Sequence, residues 1–247
     1  MIHTAKTKAL YHDCDVQGRL KISSAMRYMQ QISGEHLEVL GFPAEKLLRE
    51  HMVFMLSKSC IKVHRMPLAS ETLLLGTAPT AVKGARFVRE FSIDSERGER
   101  LISAVTLWIL IDTESRKILR PSTFPYDLPL EPLLTGDEIG NVAIAKPSEC
   151  PHTHSESVNI RYSHIDINHH VSNSNYADFI CDILPYDALL ECGVDTLAIN
   201  FQNEAKWGQQ LTIQRDALAD GAFYIRGKAH EDITCFESYV KLGQNRA

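Results

Sequence analysis

The chain has 247 residues, 44% of them hydrophobic and 23% charged. That is the make-up of a globular protein of one large or two small domains, and it excludes disorder, collagen or coiled coil as the main theme. The net charge of −5 is uneven: residues 1–140 carry 18 basic and 17 acidic side chains, the rest 8 and 14. This balance argues against a nucleic-acid partner and steers any acidic partner toward the first half.

The N-terminal segment MIHTAKTKALYHD has no apolar core of a secretory signal. Residues 11–28 read YHDCDVQGRLKISSAMRY. Apolar residues then recur at Ile22, Ala25, Met26, Met29, Ile32, Leu37 and Leu40, a spacing that predicts a helix over 22–40, ended by Gly41 and Pro43. Ile61–His64 alternates as a strand, and further strands are predicted at 70–78, 86–95 and 100–111, with a turn at Glu96–Glu99. The longest apolar stretch, Leu101–Ile111, is far short of the roughly 20 residues of a membrane-spanning helix. No membrane span is expected, and the cytoplasm is the expected location. Residues 121–150 hold Pro121, Pro125, Pro129, Pro132, Pro147, Gly136 and Gly140, so they read as a surface linker, docked by Phe124, Tyr126 and several leucines.

Residues 162–179, YSHIDINHHVSNSNYADF, repeat the first segment at an offset of 151. Tyr11 meets Tyr162, Asp15 meets Asp166, Val16 meets Ile167, Gln17 meets Asn168 and Leu20 meets Val171. Ala177, Ile180, Cys181 and Leu184 predict a second helix over 173–184, with Ser172 or Asn173 as N-cap and Pro185 as stop. Strands follow at 197–202, 210–218, 222–229 and 233–241, with a turn at Ala219–Gly221. Each half thus runs strand, long helix, then strands, which predicts an α+β fold with a helix on one face of an antiparallel sheet. The expected domains are 1–120 and 151–247, joined by the linker 121–150.

The two copies differ at their polar residues. Asp166, Asn168 and His170 stand at alternate positions, which in extended chain point one way, just before a helix N-terminus whose free N–H groups suit a developing oxyanion. A carboxylate, an amide and an imidazole there form a candidate hydrolytic set. The plainer readings are that Asp166 caps a turn and that His169 or His170 is a surface histidine. A metal site of Asp166, His169 and His170 lacks the i, i+4 histidine spacing of a helical zinc site, and no metal or cofactor is expected. Cys14, Cys60, Cys150, Cys181, Cys192 and Cys235 form no CxxC pair and read as core residues of a reducing compartment.

The segment Ile165–Tyr176 resembles the D-x-N-x-H-V-x-N-x-x-Y signature of acyl-acyl carrier protein thioesterases, and Phe201-Gln202-Asn203-Glu204-Ala205 is similar to that family's second, strand-borne segment. The resemblance implies two tandem hotdog domains, each a long helix wrapped by an antiparallel sheet. It implies hydrolysis of the thioester between a fatty acyl chain and acyl carrier protein, ending chain elongation. Its catalytic set falls on Asp166, Asn168, His170 and Glu204. Ala205 stands where many plant members have cysteine, which favours an activated water over a thiol nucleophile. Aligning Glu71-Thr72-Leu73 with Gln209-Gln210-Leu211 puts Met66 at the position of Glu204, so one site per chain is expected. The resemblance gives the first half to the acyl chain, with Met26, Met29, Met52, Phe54, Met55 and Trp108 as lining candidates. Of the basic residues Lys58, Lys62, Arg65, Lys83, Arg86 and Arg89, the last three are the first candidates for docking a carrier with its phosphopantetheine-linked acyl chain. A homodimer stays an open expectation. The rival readings are an acyl-coenzyme A thioesterase and a non-catalytic acyl-binding protein.

Overall fold

The computed structural model describes residues 1–135, 139, 142–144, 154–219, 221–230 and 233–243. Gly136, Gly140, Pro147, Cys150 and Asp220 lie outside these. The chain divides into two compact units, Met1–Leu20 with Arg27–Gly140, and Lys21–Met26 with Asn141–Ala247.

The first unit carries β1 (His3–Lys8), β2 (Met52–Val63), β3 (Thr72–Lys83), β4 (Arg86–Ser95) and β5 (Arg100–Asp112), all paired antiparallel in the order β1-β3-β4-β5-β2. The helix α1 (Ile22–Val39) buries Ile22, Ala25, Met26, Met29, Ile32 and His36, the three-and-four spacing of one face. It stops where the sequence says. Gly41, at φ 84°, donates to Glu38 O and Phe42 donates to Leu37 O, the two crossed bonds that close a helix on a left-handed glycine.

The second unit carries β6 (His154–Asn159), β7 (Val194–Phe201), β8 (Gln210–Ala217), β9 (Ala222–Lys228) and β10 (Thr234–Leu242), in the order β6-β8-β9-β10-β7. This is the first unit's order copied strand for strand. The helix α3 (Asn173–Asp182) seats Tyr176 on Phe236 of β10 and Phe201 of β7, with ring centroids 5.1 and 5.8 Å apart. The antiparallel α+β arrangement is thus present twice.

Three features differ from the sequence reading. The strand read at 61–64 is the end of a twelve-residue strand, β2, whose middle is only half buried and shows no clean alternation. Two short helices were not anticipated, α2 (Ala44–Arg49) and α4 (Tyr186–Cys192). Pro43 and Pro185 stop the long helices and are also the N-caps of these short ones. Finally, α3 ends at Asp182, two residues short of the predicted end.

Candidate active site

The site is built on a tight turn. Ile165 and Val171 bridge, and inside that bridge Asp166 N–H donates to His170 O at 3.0 Å while His169 N–H donates to Asp166 O at 3.0 Å. The turn requires a left-handed residue, and His169 takes that place at φ 63°. Asp166 Oδ1 accepts the Asn168 N–H at 2.9 Å, so this aspartate does cap its own turn. The expectation of three side chains aligned along extended chain is therefore corrected. Asn168 and His169 stand exposed at the tip, while Asp166 and His170 face each other across the base with Oδ1 and Nδ1 3.8 Å apart.

The Nδ1 of His170 also lies 3.2 Å from Val171 O. A carbonyl oxygen only accepts, so Nδ1 carries a proton, and in the neutral ring Nε2 is then the nitrogen with the lone pair. Ser172 is the N-cap of α3 but makes no side-chain cap bond.

Glu204 comes from the segment after β7. Two bonds fix it: Val171 N–H donates to Ala205 O at 2.8 Å, and Ala205 N–H donates to the buried Tyr176 hydroxyl at 3.3 Å. His170 and Glu204 are thus each next in sequence to one partner of the Val171–Ala205 bond. Gln202 and Asn203 backbone N–H groups donate to Cys235 O, and Gln202 Nε2 donates to the buried Glu237 at 2.7 Å, so the segment is anchored on β10. Lys206 Nζ lies 3.8 Å from Glu204 Oε2. Asp166, His170 and Glu204 are all partly open to solvent. The five described cysteines are free, and burial pushes the thiols of Cys60 and Cys181 up to about 11 and about 12, far from thiolate at neutral pH.

The model of the acyl-ACP thioesterase N-terminal domain matches residues 1–122, and that of the C-terminal domain matches residues 148–243. The chain belongs to the acyl-ACP thioesterase family. Among its relatives are the chloroplastic oleoyl-acyl carrier protein thioesterase of Coriandrum sativum, 20% identical over 75% of this chain and 54% of that protein, and the palmitoyl-acyl carrier protein thioesterase of Gossypium hirsutum, 20% identical over 83% and 53%. The chain spans about half the length of these relatives. Solved structures share its fold: an acyl-ACP thioesterase from Bacteroides thetaiotaomicron superposes with a TM-score of 0.81 at 22% identity, covering 98% of this chain and 97% of that one. The 12:0-ACP thioesterase from Umbellularia californica superposes at 0.85 and 13% identity, covering 98% and 96%. The two α+β units are tandem hotdogs of this family.

The acyl-lining candidates fall in two groups. Met52, Phe54 and Trp108 meet in one aromatic cluster of the first unit with Phe42, Phe87, Phe124 and Tyr126. Met26 and Met29 are buried on α1, and Met55 is half buried on β2. The sequence reading missed Phe42 and Phe87 as cluster members. It did expect Phe124 and Tyr126 to dock the segment after β5: Phe124 packs edge-on against Phe54 at 5.3 Å, and Tyr126 stacks on Phe42 at 5.2 Å.

The docking candidates split. Lys83 and Arg86 flank the exposed β3–β4 hairpin turn. Arg89 is corrected. It is only 6% exposed, because both faces of β4 are buried and its side chain lies on the face toward α1, where Nη1 reaches His36 Nδ1 at 3.0 Å and Thr77 Oγ1 at 3.1 Å. Arg65 is spent on Glu71 and Glu99, whose hydrogen bonds raise its pKa further.

Proposed function

We propose that this chain hydrolyses the thioester joining a fatty acyl group to acyl carrier protein, and that Asp166, Asn168, His170 and Glu204 carry the reaction. The observation that supports this best is the Val171–Ala205 hydrogen bond, which seats the Asp166–His170 turn beside Glu204.

Water is the nucleophile. Glu204, or His170 through its free Nε2, removes a proton from it as its oxygen bonds to the thioester carbon. The exposed amide of Asn168 orients the water or holds the carbonyl oxygen, together with the first turn of α3. Asp166 holds the turn and steadies the His170 ring. Collapse of the tetrahedral intermediate breaks the C–S bond. The pantetheine thiol leaves with a proton, and the fatty acid is freed. The aromatic cluster of the first unit takes the acyl chain, and Lys83 and Arg86 meet the acidic carrier. No helix among the described residues is long and apolar enough to cross a membrane, and the free cysteines suit a reducing compartment such as the cytoplasm.

The deciding experiment presents one acyl group on acyl carrier protein and on coenzyme A. A higher kcat/KM on the carrier is expected. Preference for coenzyme A would make the chain an acyl-coenzyme A thioesterase. Fatty-acid binding without turnover on either would make it a binding protein.

A further inference from the structure

Turned inward, Arg89 leaves a cation inside the first unit with neutral company. Thr77 spends its own hydroxyl hydrogen on Glu90 O at 3.0 Å. His36 is buried, and burial together with the Arg89 charge pushes its pKa down to about 4, so it accepts as a neutral ring. Among the described residues no carboxylate bonds to the guanidinium, and its Nε and Nη2 donors have no hydrogen-bond partner. Burying a charge without an opposite charge is costly, and an apolar side chain of similar volume in its place is often neutral or stabilising.

The position is not incidental to the acyl reading. Phe87, two residues before Arg89 on the same face of β4, belongs to the aromatic cluster, and so do Leu37, next to His36 on α1, and Leu40, just past the end of that helix. Arg89 therefore stands one same-face position along β4 from a cluster residue, and its partner His36 stands one residue before another on α1. An alkyl chain gives the guanidinium nothing to bond. A hydroxyl, keto or carboxylate oxygen accepts from the unused edge of its planar fork.

We infer that Arg89 recognises an oxygen atom carried on the acyl chain, so that oxygen-substituted acyl thioesters belong to the substrate class; this rests on the reading that the aromatic cluster receives the chain. The test uses the full chain and a positional series of monohydroxy acyl groups of one length on acyl carrier protein, beside the unsubstituted acyl group. At one position or more, kcat/KM is expected to exceed that of the plain chain by about tenfold or more, the scale of a satisfied buried donor. In Arg89→Met the series flattens to within about twofold, and Arg89→Lys keeps part of the preference. Thermal unfolding of Arg89→Met at or above the wild-type temperature shows that the fold survives. A flat wild-type series, or a preference that persists in Arg89→Met, overturns the inference. If neither plain nor substituted chains turn over, the hydrolase reading fails instead. The same comparison is then read from calorimetric binding of free hydroxy and plain fatty acids, where equal affinities overturn the assignment of Arg89.

Discussion

The turn at Asp15–Arg19 and the turn at Asp166–His170 share one backbone. Gln17 N–H donates to Asp15 Oδ1 at 2.9 Å, as Asn168 N–H does to Asp166 Oδ1. Gly18 and His169 hold the left-handed place, at φ 73° and 63°. Leu20 N–H donates to Pro67 O as Val171 N–H does to Ala205 O, both at 2.8 Å, which confirms Met66 as the counterpart of Glu204. What differs is the chemistry hung on the frame. In the first turn Arg19 closes on Asp15, its Nε 2.9 Å from Oδ2, and the carboxylate is consumed. In the second a shorter imidazole stands off at 3.8 Å, and a glutamate replaces the methionine alongside. A folding motif becomes a candidate site through two exchanges, arginine to histidine and methionine to glutamate, that leave its backbone alone.

The largest effect is expected from undoing those exchanges. His170→Ala and Glu204→Ala should each lower kcat by roughly 100-fold or more, the scale of a lost acid–base group. His170→Arg with Glu204→Met rebuilds the silent turn. It should abolish turnover while circular dichroism and the unfolding temperature stay near wild type, because Asp15–Arg19 shows that the frame tolerates arginine. Unfolding of the double variant would mean that the two turns are not equivalent supports. Serine at all six cysteines should leave turnover intact wherever the fold survives, and an acyl-cysteine trapped by mass spectrometry would overturn the water mechanism.

How much of this was legible depends on what each residue reports. The offset of 151 was visible because turn chemistry is local: Asp, then a left-handed residue, then an apolar anchor can be matched by eye in both copies. The approach of Glu204 came only through the family resemblance, since the bonds that set it, Val171–Ala205 and Ala205–Tyr176, join residues far apart in sequence. Alternation misplaced Asn168 because it presumes extended chain, whereas Asp166 bends the backbone through its own side chain. Charge alone misplaced Arg89, because a strand buried on both faces carries no polar face for a cation to mark. Pro43 and Pro185 were read as endings only, though a residue that ends one helix also starts the next well.

The left-handed place gives a smaller effect of opposite sign in the two turns. A side chain there costs about 1 kcal/mol that glycine avoids. Gly18→Ala should lower stability in chemical denaturation by about that amount. His169→Gly should raise it by up to the same, less the entropy glycine adds to the unfolded chain. Turnover in His169→Gly should stay within about twofold, since this exposed ring lies outside the Asp166–His170 pair. A large loss of kcat in His169→Gly would move the imidazole role from position 170 to 169.

The smallest effect concerns the partner and also separates the halves by charge. Residues 1–140 are close to neutral and the remainder is acidic, so an acidic carrier is repelled by much of the half that holds the candidate site. Its encounter must therefore be guided from the first half, and of the three cations first considered only Lys83 and Arg86 are left at the surface. Both are exposed, so their attraction is screened within about 8 Å at physiological salt and acts on encounter more than on the bound state. Reversing both to glutamate should raise KM for an acyl carrier protein substrate by a few-fold at low salt and less at high salt, with kcat unchanged. Hydrolysis of a short acyl-coenzyme A should hardly respond. If the two carriers respond alike, or the change in KM ignores salt, the β3–β4 hairpin is not where the carrier lands, and the search moves to basic residues of the first half such as Lys58 and Lys62.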